Sequence, residues 1–312
     1  MKDFLIKFFK SKKKHVLHTC ILLGLILLTS CAFLDLTLRY YVSVKKVREF
    51  PFEIKNAEYP ILKSPINLNL SAKAVVVMDK DSKVVLFAKN PNLLFSLAST
   101  TKIMTALVSL DYYKMNDVLT VKTEGVEGVN VGFKTGEKIL FKDMLYAMLL
   151  PSGNDAALAI AENYSGGKDP FIKKMNDKAR LLHLEHTNFA DPIGLEDSHD
   201  YTTPMDLARL ASAALENKIF AEIVATKSQE ISDVSGENKY SLRNLNKLLG
   251  TNGVNGVKTG YTDEAGQVLI TSKKEGDHTL IIVVMDSQDR FSDTALVLDQ
   301  LSGNISYLSI HP

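Results

Sequence analysis

The chain has 312 residues, 46% hydrophobic and 23% charged, with 17 glycines and 9 prolines spread along it; disordered and fibrous folds are excluded, and one large domain or two ordinary ones can be built around a sizeable core. The net charge of +1 hides an asymmetry, because residues 1–14 hold six lysines against Asp3, a local +5 that leaves −4 for everything after them. A nucleic-acid binder carries its excess positive charge on the folded domain, so a nucleic-acid partner is not expected.

Residues 1–14 read as a basic cytoplasmic tail and residues 15–36 as a signal anchor or a lipoprotein signal. From Val16 to Leu34 no charged residue occurs in 19 positions. About 20 apolar residues span a bilayer, and the preceding lysines keep the N-terminus in the cytoplasm. The rest of the chain is then exported and held at the outer face of the cell membrane. Leu28-Thr-Ser-Cys31 resembles a bacterial lipobox, in which the cysteine is lipidated and everything before it removed. An uncleaved anchor is the first reading and a lipid anchor the second, since the apolar run continues through Ala32, Phe33 and Leu34. Both cysteines, Cys20 and Cys31, fall in this segment, so the exported part holds no disulfide, thiol nucleophile or Cys-ligated zinc site. Residues 37–70, where Arg39, Lys45, Lys46 and Arg48 mix with Glu49, Glu53 and Glu58 and three prolines interrupt any helix, read as a stalk.

Residues 71–312 read as one domain. Ala74–Met78 and Val84–Ala88 form a hairpin about a polar turn. Apolar spacing of three and four then predicts helices over Thr101–Tyr113, Phe141–Leu150, Asp155–Tyr164, Pro170–Leu182 and Pro204–Leu215. Strands return at Gly266–Thr271 and Thr279–Met285, and a helix over Phe291–Leu301 closes the domain. The expected class is mixed α+β: an antiparallel sheet built from N- and C-terminal segments, with a helical lobe beside it.

Three short motifs carry chemistry: Ser99-Thr-Thr-Lys102, Ser152-Gly-Asn154 and Lys258-Thr-Gly260. Each pattern recurs, at Ser11, Ser43 and Ser165 for the first, Ser302 for the second and Lys134 for the third, so context must choose. Only Ser99 opens an apolar helix, where Lys102 lies three residues on along the same face. Ser152-Gly-Asn154 is a loop entering a helix, and Lys258-Thr-Gly260 sits in a glycine-spaced strand that a substrate backbone can approach. A serine hydroxyl needs a base to become a nucleophile. No histidine is placed beside Ser99 by the sequence, whereas a lysine serves if burial or a nearby cation keeps it neutral. Lys258 supplies that cation if the motifs converge, or it holds a substrate carboxylate with Thr259.

With their flanks, Ala98-Ser-Thr-Thr-Lys-Ile-Met-Thr-Ala106, Pro151-Ser-Gly-Asn-Asp-Ala-Ala157, Thr187-Asn-Phe-Ala-Asp-Pro-Ile-Gly-Leu195 and Lys258-Thr-Gly-Tyr-Thr-Asp-Glu-Ala-Gly266 resemble the D-alanyl-D-alanine carboxypeptidases among the low-molecular-mass penicillin-binding proteins, serine peptidase family S11. The resemblance covers roughly residues 70–302 and implies a β-lactamase/transpeptidase-like fold. It also implies removal of the terminal D-alanine from peptidoglycan stem peptides, with β-lactams as covalent inhibitors and with no cofactor or metal. Ser99, Lys102 and Ser152 would be catalytic. Asn154, Lys258, Thr259, Gly260 and Tyr261 would bind substrate, Asn154 also holding Lys102 and the Tyr261 N–H completing an oxyanion hole with that of Ser99. Asp197 and His199 are expected at the rim. Larger relatives carry a β-rich second domain and a C-terminal membrane helix, neither of which is expected here.

The competing readings are distinct. A D,D-endopeptidase cutting cross-links would use the same residues. A class A β-lactamase needs a deacylating glutamate that Glu185-His-Thr-Asn188 does not supply. A non-catalytic peptidoglycan or penicillin sensor would lack one of Ser99, Lys102 and Lys258. An isolated Ser99 would serve as an N-cap; the two partner motifs argue against that.

Overall fold

Strand β2 (Ala74–Asp79) is buried along its whole length, although strand side chains point alternately to opposite faces. The reason is that both faces are covered. Val75 and Val77 join Val297, Leu298 and Leu301 of the last helix on one side, while Ala74, Val76 and Met78 join the core of the helical lobe on the other. The same alternation divides the apolar run Leu280–Met285, each of whose fully buried side chains contributes roughly 1.5–3 kcal/mol. A sheet buried on both faces therefore reads as continuous apolar sequence.

The structure, a computed structural model, describes residues 23–38, 57–196 and 198–310. The chain divides into two units, Met1–Lys55 and Asn56–Pro312. In the first, residues 23–38 form an exposed helix, α1. Among the described residues no helix is long and apolar enough to cross a membrane. The 1–14 tail and the start of the 15–36 segment lie outside them.

In the second unit, β1 (Ala57–Leu62), β2 and β3 (Val85–Lys89) precede α2 (Thr101–Tyr112), the ribbon β4 (Val118–Thr120) and β5 (Lys138–Leu140), then α3 (Phe141–Leu149) and α4 (Asn154–Asn163). Next come α5 (Lys168–Leu181), α6 (Pro204–Leu215), α7 (Lys218–Val224) and the ribbon β6 (Ser228–Ser232) and β7 (Lys239–Arg243). Strands β8 (Val254–Thr262), β9 (Gly266–Glu275) and β10 (His278–Ser287), helix α8 (Arg290–Leu301) and β11 (Ile305–Ile310) complete it. The central sheet is five-stranded and antiparallel, in the order β3-β2-β10-β9-β8. It thus joins the first and last parts of the domain, as the sequence pattern implies. Asp293 at the start of α8 fastens them: its carboxylate accepts the Ser71 and Ala72 N–H groups and the Ser71 and Ser287 hydroxyls. Burial pushes its pKa up, but these hydrogen bonds outweigh burial and hold it below the usual value.

The five expected helices of the lobe form, with boundaries moved by a residue or two. Helix α5 starts before Pro170, which is tolerated in the first turn because the N–H it lacks has no intrahelical partner there. Four features are absent from the sequence reading: α7, capped by the Asn217 side chain, the two short ribbons, and the β1–β11 pair. This last pair corrects the 37–70 stalk: residues 57–62 are a strand of the folded unit, and Leu70 is buried in its core. The rest of that stretch up to residue 56 lies outside the described residues, apart from 37 and 38 in α1.

Candidate active site

Ser99 lies in a 3-10 turn, Ala98–Thr100, immediately before α2. The turn is held from two sides by glycines. A Cβ on Gly194, whose φ is +83°, would lie 1.9 Å from the Ala98 carbonyl oxygen. Opposite it, a Cβ on Gly260 of β8 would lie 3.3 Å from the Ala98 Cβ and 3.5 Å from the Ser99 nitrogen. Ala98 itself takes a positive φ of 47°, a conformation that alanine adopts only when its surroundings impose it. Ser99 stays partly exposed between walls that are fully buried.

Lys102 is 0% exposed on the first turn of α2. Its Nζ lies 3.1 Å from Ser99 Oγ and donates to the Ile193 carbonyl at 2.8 Å. Burial pushes its pKa down to about 7, against the opposing pull of Asp191 and Asp155. A neutral amine has two N–H donors and one lone pair. One N–H can remain on Ile193 while the lone pair takes the Ser99 proton.

Ser152 sits at φ +69° between α3 and α4, with its hydroxyl accepting from Lys258 Nζ at 2.8 Å. Lys258, 2% exposed, also donates to the Thr259 carbonyl at 3.0 Å. Burial first, then the charges of Lys102 and Arg290, lower its pKa well below that of an ordinary lysine. The three motifs, spread over residues 99–260, therefore meet along β8. Because β8 is an edge strand, one row of its backbone groups is available to an extended peptide.

Thr259 is buried in this strand. Gly260 presents its carbonyl to Arg290 Nη1 at 2.6 Å. Tyr261 is exposed, and its hydroxyl donates to Asp263. Asn154 departs from expectation. Its Nδ2 donates to the Glu127 carbonyl at 2.5 Å, its buried Oδ1 has no hydrogen-bond partner, and it makes no hydrogen bond to Lys102. The Lys102 amine is satisfied by Ile193 instead, and the Asn154 amide is turned to the loop at residues 127–130, whose Val129 carbonyl accepts its backbone N–H.

His199 is 71% exposed in its side chain and bonded to Ser198, with no hydrogen bond to this network among the described residues; Asp197 lies outside the described residues. Four participants escape the sequence reading. Asp191 accepts four backbone N–H groups, and Ile193 acts through its carbonyl. Asp155 ties the N–H groups of Val131, Gly132 and Phe133 to α4, and Arg290 reaches β8 from α8. Asp191 and Asp155 stood inside quoted motifs, but nothing in their spacing distinguishes a loop-holding carboxylate from a rim one.

A partly exposed serine paired with a buried lysine, opening a helix between an antiparallel sheet and a helical lobe, defines the penicillin-binding and transpeptidase class of acyl-serine enzymes. A sequence model of one family in this class, described as D-alanyl-D-alanine carboxypeptidase, matches residues 61–289. The chain belongs to this family, peptidase family S11.

It is 34% identical to D-alanyl-D-alanine carboxypeptidase DacF of Bacillus subtilis over 77% of this chain and 64% of that protein. It is 32% identical to a D-alanyl-D-alanine endopeptidase of Pseudomonas aeruginosa over 74% of this chain and 76% of that one. The crystal structure of the Streptomyces K15 DD-transpeptidase superimposes with a TM-score of 0.72 at 30% identity, over 77% of this chain and all of that one. The chain thus spans somewhat under two thirds of the length of the Bacillus relative.

Proposed function

We propose that the protein is a serine-type D,D-carboxypeptidase that removes the C-terminal D-alanine from peptidoglycan stem peptides. The observation that carries this reading is the Ser99–Lys102 pair, set beside Gly260 and the Lys258–Ser152 contact with its lysine buried and its serine partly exposed. Lys258 and Thr259 receive the terminal carboxylate. That negative charge favours the cationic form of Lys258, and a cationic Lys258 disfavours a second proton on Lys102. Ser99 Oγ attacks the carbonyl carbon of the penultimate D-alanine as its proton passes to Lys102 Nζ. The Ser99 and Tyr261 N–H groups hold the oxyanion, each worth about 3 kcal/mol. Collapse breaks the C–N bond, and the proton reaches the leaving amine through the Ser152 hydroxyl, while Asn154 holds the substrate amide. Water then attacks the acyl-enzyme, giving up its proton to Lys102, and Ser99 regains its hydrogen. β-Lactams acylate Ser99 by the same attack, with opening of their ring.

Incubation with a peptide ending in D-Ala-D-Ala should release free D-alanine. A second reading, an endopeptidase acting on cross-links, is favoured by the names of the Pseudomonas aeruginosa and Escherichia coli relatives, 32% and 30% identical. Cleavage of cross-linked dimers without release from the simple peptide would decide for it.

We also infer that the folded unit, from Asn56 onward, works at the outer face of the cell membrane, tethered by the N-terminal segment. The uncharged run Val16–Leu34 behind six lysines supports this. The mature protein should retain its N-terminal residues on intact-mass measurement; a mass beginning at a lipidated Cys31 would replace the anchor with a lipid.

A further inference from the structure

Residues 192–194 lie along one face of α2 and the turn before it. The Gly194 backbone abuts the Ala98 carbonyl, the Ile193 carbonyl accepts from Lys102, and the Pro192 carbonyl accepts from the Thr105 hydroxyl at 2.7 Å. Lys102 and Thr105, three residues apart, share one face of α2, and Ala98 lies in the turn just before it. A short irregular segment that matches a helix face at three successive residues must itself be rigid. Asp191 supplies the rigidity: its Oδ1 accepts from the Ile193 and Gly194 N–H groups at 2.5 and 2.6 Å, and its Oδ2 from those of Leu195 and Glu196 at 2.9 and 2.7 Å. Asp191 is buried and makes no ion pair among the described residues; its carboxylate is met by these four amides, and its proximity favours a proton on Lys102.

We propose that Asp191 is the positioning residue for Lys102: its carboxylate holds the 191–196 turn in the one shape that presents the Ile193 carbonyl to Nζ, and its charge sets how readily Nζ accepts the Ser99 proton. The proposal rests on the reading of Lys102 as the base. The groups facing Lys102 are Ser99 from its own turn, Asp191 and the Ile193 carbonyl from the 191–196 turn, Asp155 from α4 and Lys258 from β8. The two carboxylates favour the protonated amine, whereas Lys258, when charged, repels it. Loss of the Asp191 charge therefore makes Lys102 neutral at lower pH.

The test is the acylation rate of the full-length protein by a fluorescent penicillin, measured from pH 5 to 9 in the wild type and in Asp191→Asn. Asparagine keeps the size, but it turns an amide –NH2 toward two of the four N–H donors and removes the charge. The variant should lose roughly 10²-fold on the high-pH plateau, the effect of misplacing a reacting group by about 1 Å. Its rising limb should also move to lower pH. A plateau loss with the limb in place would make Asp191 structural only and overturn the proposal, as would a wild-type profile. Absence of any limb in the wild type would overturn the base reading and the proposal with it, which separates the two failures. If Asp191→Asn does not fold, Asp191→Glu carries the test. It keeps the charge, so the limb should stay while the longer side chain displaces Ile193 and lowers the plateau at least tenfold; an unchanged plateau would overturn the proposal.

Discussion

Alanine in place of Ser99 is expected to abolish both covalent labelling by fluorescent penicillin and release of D-alanine. The loss should be on the order of 10⁶-fold in turnover, the scale seen when a serine peptidase loses its nucleophile. The physical case rests on how little else Ser99 does. Ser99 is partly exposed, and among the described residues its hydroxyl bonds to Lys102, while the turn that carries it packs by its backbone against Gly194 and Gly260. Lys102 keeps its hydrogen bond to Ile193 when the hydroxyl is gone. Stability should therefore change by no more than about 1 kcal/mol, and the thermal melting temperature should report a folded protein. Labelling of the variant at the wild-type rate would remove Ser99 from the mechanism.

The second large effect is expected at Lys102. Lys102→Met preserves an unbranched buried chain and removes only the amine, so acylation should fall by about 10²–10⁴-fold, the range attributed to general-base catalysis. The pH dependence gives the same argument its sign. The Lys102 pKa lies near 7. Below that pH the amine is protonated and has no lone pair to offer Ser99, so the wild-type acylation rate should fall about tenfold per pH unit. Above it the amine is neutral and the rate should level off. The residual rate of Lys102→Met should lack this limb. Lys102→Arg, permanently charged, should remain inactive up to pH 9. A wild-type rate constant across pH 5 to 9 would rule out a lysine that titrates near neutrality.

The arrangement places two buried lysines where one charge is tolerated more easily than two. Burial and then the charge of Lys102 lower the proton affinity of Lys258, and no carboxylate pairs directly with either lysine among the described residues. Arg290, bonded to the Gly260 carbonyl, adds positive potential at the same end of β8.

Much of this was legible locally. The Ser99–Lys102 spacing places both residues on one helix face because three residues make nearly one turn. The short, β-branched apolar runs of Ala74–Met78 and Thr279–Met285 mark strands, and turn residues mark the loop carrying Ser152. The domain's strands at both ends could therefore be assembled into one sheet from the sequence alone. The ribbons β4–β5 and β6–β7 escaped because runs of three to five residues are too short to show a period. Strand β1 escaped because Pro60 interrupts it, and proline is accommodated at sheet edges such as this two-stranded pair.

The sequence by itself therefore determined which residues bear the chemistry: a hydroxyl and an amine at helical spacing, a polar loop and a lysine on a strand. Tertiary structure alone decided their state. That Lys102 bonds to a carbonyl 91 positions away, that Lys258 bonds to Ser152 across 106, and that Asn154 turns to Glu127 rather than to Lys102 depend on loops whose backbone atoms are chemically the same at every residue. A carbonyl oxygen has no letter in the sequence, and burial, which draws the Lys102 pKa from 10.5 toward 7, is a property of everything packed around the amine.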